Sequence, residues 1–266
     1  IPFRPTLFMS GEGHEWTTLD GLPVQPITFD SMSEAKDFEK RYKDVSNFTV
    51  AGNTNYVAQY IYEQFPRTIK YDQQHIKVAT IDIEVNSSDG FPDPELANHE
   101  VTAICYRMNS GDYWVWGCGD YDASEGTVYI KCDNEFDLLS KFVRHWEMNP
   151  PSILTGWNVE GFDLVYLLMR MRKLTGEDTM GKRLSPWGLI RERNITLFGK
   201  SQLRFVVEGI SVLDYLDLYK KFTYSQQESY RLEHIAQVEL GEGKLSYEEH
   251  GNLHTLHDED YQKFID

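Results

Sequence analysis

Cysteine is scarce: only three occur in 266 residues, Cys105, Cys118 and Cys132. Their number is odd and none falls in a CxxC or Cys/His spacing. That argues against a disulfide framework and a zinc site, and for reduced thiols in a cytoplasmic protein. No apolar run approaches the roughly 20 residues that span a bilayer. The opening Ile1-Pro-Phe-Arg4 has no charged start leading into an apolar stretch, so no signal peptide is expected. Positive charge is also short: 26 Lys and Arg stand against 42 Asp and Glu, a formal charge of −16. This balance argues against a broad basic surface for gripping duplex nucleic acid, and fits a chain that stays soluble or gathers acids around divalent metals. What is plentiful is apolar material, 41% hydrophobic and 14% aromatic, enough for one large domain or two modest ones.

Residues 1–70 read as a small α+β region. A strand at Thr6–Met9 is followed by Gly-rich turns and a helix over Ser31–Tyr42, with Ala35, Phe38 and Tyr42 at helical spacing. From residue 71 strands and helices alternate to the end, the pattern of an α/β domain over 71–266. The expected strands are His75–Val85, His99–Met108, Tyr113–Gly117, Pro151–Thr155 and Ser211–Asp214. Helices are expected over Asn134–Met148, Gly161–Arg172, Asp214–Lys220 and Tyr230–Leu240. Ile195–Val207 reads as a β-hairpin turning at Gly199-Lys200. Ile1 is not a start residue, and Tyr261–Asp266 reads as a helix without a terminal cap; the expectation is a piece of a larger polypeptide.

The sharpest chemical feature is Asp82-Ile-Glu84. Side chains alternate along a strand, so Val78, Thr80, Asp82 and Glu84 share one face while Ala79, Ile81, Ile83 and Val85 share the other. Two carboxylates on one face stand about 7 Å apart along a strand rising roughly 3.3 Å per residue. Like charges so placed repel unless a cation neutralises them, the arrangement oxygen-ligated Mg²⁺ or Mn²⁺ exploits. As a bare string Asp-x-Glu is trivial; Asp93-Pro-Glu95 and Asp133-Asn-Glu135 also match and read as loop and helix-start acids. Asp82 differs in sitting mid-strand within a β-branched run. The second feature is Leu154-Thr-Gly-Trp-Asn-Val-Glu-Gly-Phe-Asp-Leu-Val-Tyr166. There Asp163 falls in the first turn of a helix, either as an acid favoured by the helix dipole or as a third ligand beside Asp82 and Glu84. Asn158 reads as a turn or cap residue.

Asp82-Ile-Glu84 resembles the first exonuclease motif of family B DNA polymerases, and Asn158-x-x-x-Phe162-Asp163 resembles the second. Tyr230-x-Leu-Glu-His-Ile-Ala and Leu240-Gly-Glu-Gly-Lys244 are similar to the segment that follows in that family. Asp89-Gly-Phe-Pro-Asp-Pro94, Lys182-Arg-Leu-Ser-Pro186 and Ile210-Ser-Val-Leu-Asp-Tyr-Leu-Asp-Leu-Tyr-Lys-Lys-Phe222 resemble the replicative polymerases of T-even phages in particular. The resemblance covers nearly the whole chain and is weakest over the first 60 residues. It implies an RNase H-like exonuclease fold of the four-carboxylate (DEDD) type, a mixed sheet flanked by helices. It also implies two divalent ions, Mg²⁺ or Mn²⁺, hydrolysing the 3′-terminal phosphodiester of single-stranded DNA in an infected host's cytoplasm. Asp82 would bridge both metals, Glu84 would hold the one that activates water, and Asp163 would support the second. Phe91 would stack near the terminal base. Asn158, Phe162, Lys200 on the hairpin and Lys244 would face the DNA, although Lys244 equally fits pairing with acids.

The family's third exonuclease motif, a Tyr followed by the fourth carboxylate, is absent from residues 1–266, and so are the palm, fingers and thumb motifs. The resemblance therefore implies no polymerisation by this chain, weak or no cleavage, and a partnership with the rest of the polymerase in cis or as a second chain. A non-catalytic DNA- or polymerase-binding module, or half of a split polymerase, is the alternative. Paired-acid glycoside hydrolysis fits poorly, because two acids on one strand do not flank a sugar.

Overall fold

The computed structural model describes residues 3–13, 15–68, 70, 72–88, 90–197, 199–243, 245–246 and 248–266. The chain divides into two compact units, residues 1–71 and 72–266. The first holds β1 (Thr6–Ser10), β2 (Trp16–Thr17), β3 (Pro23–Thr28), α1 (Met32–Tyr42), β4 (Val50–Ala51) and α2 (Tyr56–Gln64). Its four strands form a sheet in the order β2-β3-β1-β4. Ser31 caps α1 by accepting from the Glu34 N–H, as its position before the helical pattern predicts. Leu7, Phe29, Ala35 and Tyr56 form a small core of their own.

The second unit carries β5 (Val78–Val85), β6 (Val101–Met108), β7 (Tyr113–Gly117), β8 (Thr127–Lys131), α3 (Glu135–Met148), β9 (Ile153–Gly156) and α4 (Asp163–Thr175). It continues with α5 (Thr179–Lys182), β10 (Ile190–Leu197), β11 (Lys200–Val207), β12 (Ser211–Asp214), α6 (Tyr215–Phe222), α7 (Leu232–Leu240), α8 (Leu253–Glu259) and α9 (Tyr261–Ile265). Six strands form a mixed sheet in the order β12-β9-β5-β6-β7-β8. β12, β9 and β5 run parallel, β6 is antiparallel to both β5 and β7, and β8 is parallel to β7. This mixed sheet flanked by helices is the α/β architecture of RNase H-like exonuclease domains. Its core joins the inward faces of β5 and β6 to Leu138, Phe142 and Trp146 of α3 and Val165, Tyr166 and Leu167 of α4. Among the described residues no helix is long and apolar enough to cross a membrane.

Several boundaries differ from the sequence expectation for local reasons. β5 starts at Val78 because Asp72 caps a 3-10 turn over Gln73–His75, diverting the chain before it extends. α4 runs on to Thr175 and stops where Gly176 takes φ 71°, a left-handed terminus a glycine adopts without strain. The hairpin is longer than its apolar run, since β10 begins at Ile190, and it pairs in register from Ile190↔Val207 to Leu197↔Lys200. β8 and α8 were not foreseen, whereas α9 lies within the expected Tyr261–Asp266 helix; Asp260 ends α8 and caps α9.

Candidate nuclease site

β5 shows the expected alternation. Ala79, Ile81, Ile83 and Val85 are buried, while Thr80 and Asp82 are exposed and Glu84 is half-buried. In register the parallel strands align Ala79 with Leu154 and Leu154 with Val212, so β9 and β12 end at Gly156 and Asp214 while β5 runs further. Asp82 and Glu84 lie on that overhang, beyond the carboxyl ends of the neighbouring strands, where open α/β sheets place their ligands. Both line a cavity of about 380 Å³ together with Cys105, Tyr113, Lys263 and Asp266. Burial pushes the Cys105 thiol up to about 11, which keeps it protonated and a poor ligand at neutral pH.

Asp163 reaches β5 from the other side. A tight turn after β9 delivers it: a Cβ at Gly156 would sit 2.6 Å from the Ile81 carbonyl oxygen, and Asn158 is left-handed at φ 65°. Asp214 fastens this turn. Its carboxylate accepts from the backbone N–H groups of Asn158 and Glu160, each at 3.0 Å, and from Leu216 at 2.9 Å as it caps α6. α4 then begins at Asp163, which is 3% exposed and accepts the Ile83 N–H at 3.1 Å. Burial, and secondarily the Asp82 charge, push its carboxyl up to about 8.

The structure thus couples Asp163 electrically to Asp82 and sets Asp82 and Glu84 in one cavity. It does not gather the three around a single point. Among the described residues no three His, Cys, Asp or Glu side chains are close enough to hold one ion. The donor set nevertheless suits a hard divalent cation, being carboxylate oxygens with one carboxyl buried beside a second charge.

A second group forms on the neighbouring surface. Phe91 is 88% exposed, with its ring 5.4 Å from that of Phe162, which in turn lies 5.6 Å from Tyr166. It is not tucked beneath its own loop. Phe91 and Asn158 line a groove of about 580 Å³ together with Gln202 and Arg204 of β11. Lys200 begins β11, but its side chain lies outside the described residues, as does Lys244 altogether. Sequence reasoning passed over Arg204: the expected turn at Gly199-Lys200 would set Arg193 opposite Val206, whereas the structure pairs Leu197 with Lys200 and thereby Arg193 with Arg204. It also took Glu135 for a simple helix-start acid. Glu135 makes a bidentate pair with Arg170 at 2.7 Å and accepts the Val101 N–H, a 35-residue link invisible to local pattern.

Comparison with known proteins gives the site a context. Residues 42–235 match the family model for the exonuclease domain of family B DNA polymerases. The DNA-directed DNA polymerase of Enterobacteria phage T4 is 33% identical over 294 aligned residues, and that of Escherichia phage RB69 is 34% identical over 296. Each alignment covers the whole of this chain and 32% of the phage protein, so the chain spans about a third of these relatives' length. The DNA polymerase catalytic subunit of human herpesvirus 7 is 29% identical over 181 residues, 64% of this chain and 18% of that protein.

Proposed function

We propose, from the premise that this chain belongs to the family B DNA polymerases through their exonuclease domain, that it is the proofreading 3′→5′ exonuclease segment of a phage replicative polymerase. The observation that carries this reading is the β5 overhang. It presents Asp82 and Glu84 side by side in one cavity, while the Ile83 N–H between them binds the carboxylate of Asp163.

Asp82, Glu84 and Asp163 are the side chains that would hold two divalent ions, Mg²⁺ or Mn²⁺. Such ions, when bound, offset charge on the attacking and leaving oxygens of an in-line displacement. The chain's own residues do the positioning. Asp163 is clamped by the strand backbone, and Asp214 locks the turn that places it. Phe91, supported by Phe162, offers an open aromatic face to the base of a single-stranded 3′ end; such stacking is tolerant of sequence. Asn158 lies in the same groove. Lys200 at the hairpin tip and Lys244 are the remaining candidates for DNA contact, Lys244 equally fitting a pairing with acids.

Residues 1–70 are read as part of the polymerase's N-terminal domain, and palm, fingers and thumb as supplied in cis or by a second chain. The setting is the cytoplasm of an infected host. A polypeptide of these residues alone holds three of the four carboxylates such a site needs and cleaves feebly, because a depleted shell upsets both geometry and charge balance. One observation favours a non-catalytic DNA- or polymerase-binding module instead: no three ligand side chains close on one point among the described residues. Hydrolysis of a 3′-labelled single-stranded oligonucleotide separates the readings. In the polymerase containing this segment, Asp82→Ala, Glu84→Ala and Asp163→Ala each should lower the Mg²⁺-dependent rate at least 100-fold, on the order of 3 kcal/mol. Rates unchanged in all three variants would sink the nuclease reading.

A further inference from the structure

The β10–β11 hairpin sets two arginines directly opposite one another, Arg193 on β10 and Arg204 on β11. Like charges facing across an antiparallel pair repel and weaken the pairing. A chain of charge −16 has acids to spare for neutralising such a pair, yet among the described residues neither arginine forms an ion pair within 4 Å, while Arg191, Arg172 and Arg170 all do. Glu160 feels both arginines, but burial first and Asp214 second push its carboxyl up, so it is a poor neutraliser of the pair.

The placement of Arg204 points outward to a ligand. Its guanidinium is braced by the Gln202 side-chain oxygen at 2.9 Å and the Leu203 carbonyl at 3.2 Å, which fixes the fork and leaves other N–H donors available. It lines the same 580 Å³ groove as Phe91. The two acids that also line this groove are turned to backbone donors. Asp93 accepts from the Glu95 and Leu96 N–H groups, and Glu95 accepts from the Leu203 N–H at 3.0 Å. A cationic pair, a groove and an exposed aromatic ring thus adjoin one another, the combination that tracks a nucleic-acid backbone while stacking its bases.

We infer that Arg193 and Arg204 together clamp one backbone phosphate of the single strand whose bases lie over Phe91. The inference rests on the nuclease reading and deepens it, assigning the strand's path to the hairpin stem as well as its tip. Neither arginine is assigned a part in the hydrolysis itself; they are positioning residues.

The test is binding of a fluorescein-labelled oligothymidylate to the full 266-residue chain by anisotropy, across a salt series, with Ca²⁺ replacing Mg²⁺ to suspend cleavage. Arg193→Ala and Arg204→Ala should each weaken binding about 3- to 10-fold. The double variant should lower the slope of log affinity against log salt by about 0.7, the loss of one neutralised phosphate on a single strand. Arg204→Lys, which keeps the charge but not the fork, should recover part of the affinity without restoring it fully. Arg144→Ala, removing an exposed charge on α3, should change affinity less than 1.5-fold and so exclude a net-charge effect. Equal binding and equal salt slopes in wild type and double variant, or no measurable binding by the wild type, overturn the clamp. Metal-dependent cleavage by the polymerase and its Asp82→Ala variant, measured in parallel, reports on the nuclease reading separately.

Discussion

Replacing Asp163 by Asn should stabilise the metal-free protein and abolish its response to metal. The Asn side chain can still accept the Ile83 N–H that Asp163 now binds at 3.1 Å, so the local geometry survives. What disappears is an ionisable group whose carboxyl, 3% exposed, is pushed from the ordinary aspartate range near 4 up to about 8, by burial first and by Asp82 second. The direction of the pH effect follows. Above about pH 4 the unfolded chain releases a proton that the folded chain still holds, so metal-free stability falls as pH rises, until both forms are ionised above about pH 8. At about 1.4 kcal/mol per pH unit the ceiling is near 6 kcal/mol. Relaxation and water entry around a buried charge reduce this, and about 2–4 kcal/mol is expected. Urea unfolding at pH 5 and pH 8, with EDTA or with Mn²⁺, measures it. The Asn variant should show a flatter pH dependence in EDTA and little gain from Mn²⁺, whereas the wild type should gain more from Mn²⁺ at pH 8. Parallel pH profiles for the two proteins in EDTA would refute the argument, because the strain would then not reside at Asp163.

Three further predictions concern the scaffold around the site. Gly156→Ala places a methyl 2.6 Å from the Ile81 carbonyl oxygen and should cost about 2–4 kcal/mol in urea unfolding, with nuclease activity falling alongside. Asp214→Ala strands the N–H groups of Asn158, Glu160 and Leu216 and should cost about 2–4 kcal/mol, while Asp214→Asn recovers part of the loss. Glu135→Ala leaves Arg170, 11% exposed, without its bidentate partner and should lower stability by about 3–5 kcal/mol with little direct effect on DNA binding.

The parts of this molecule legible in its sequence are those ruled by short-range periodicity. The two faces of β5 follow from side-chain alternation, and the Ser31, Asn134 and Asp214 caps follow from polar residues placed just before helical runs. Tyr113–Gly117 is found as expected because Gly and Asp bound a β-prone run. β8 escaped notice although Thr127-Val-Tyr-Ile-Lys131 is equally β-prone. Its strand status depends on parallel pairing with β7, a partner no local pattern announces. Asp214 illustrates the same divide. Its cap on α6 is local and was legible, whereas its grip on the Asn158 turn spans 56 residues and was not. The carboxylate site shares this character: the sequence marks Asp82, Glu84 and Asp163 individually, and only the fold brings the Ile83 backbone to Asp163.

The most direct test of the central claim is a crystal structure of the polymerase containing this segment, with a single-stranded 3′ end and Mn²⁺, recorded for anomalous scattering from manganese. The account predicts manganese peaks within coordinating distance of Asp82, Glu84 and Asp163, about 2.0–2.3 Å for carboxylate oxygens, with the terminal base stacked on Phe91. Strong peaks elsewhere and none at these carboxylates, with DNA bound, would contradict it.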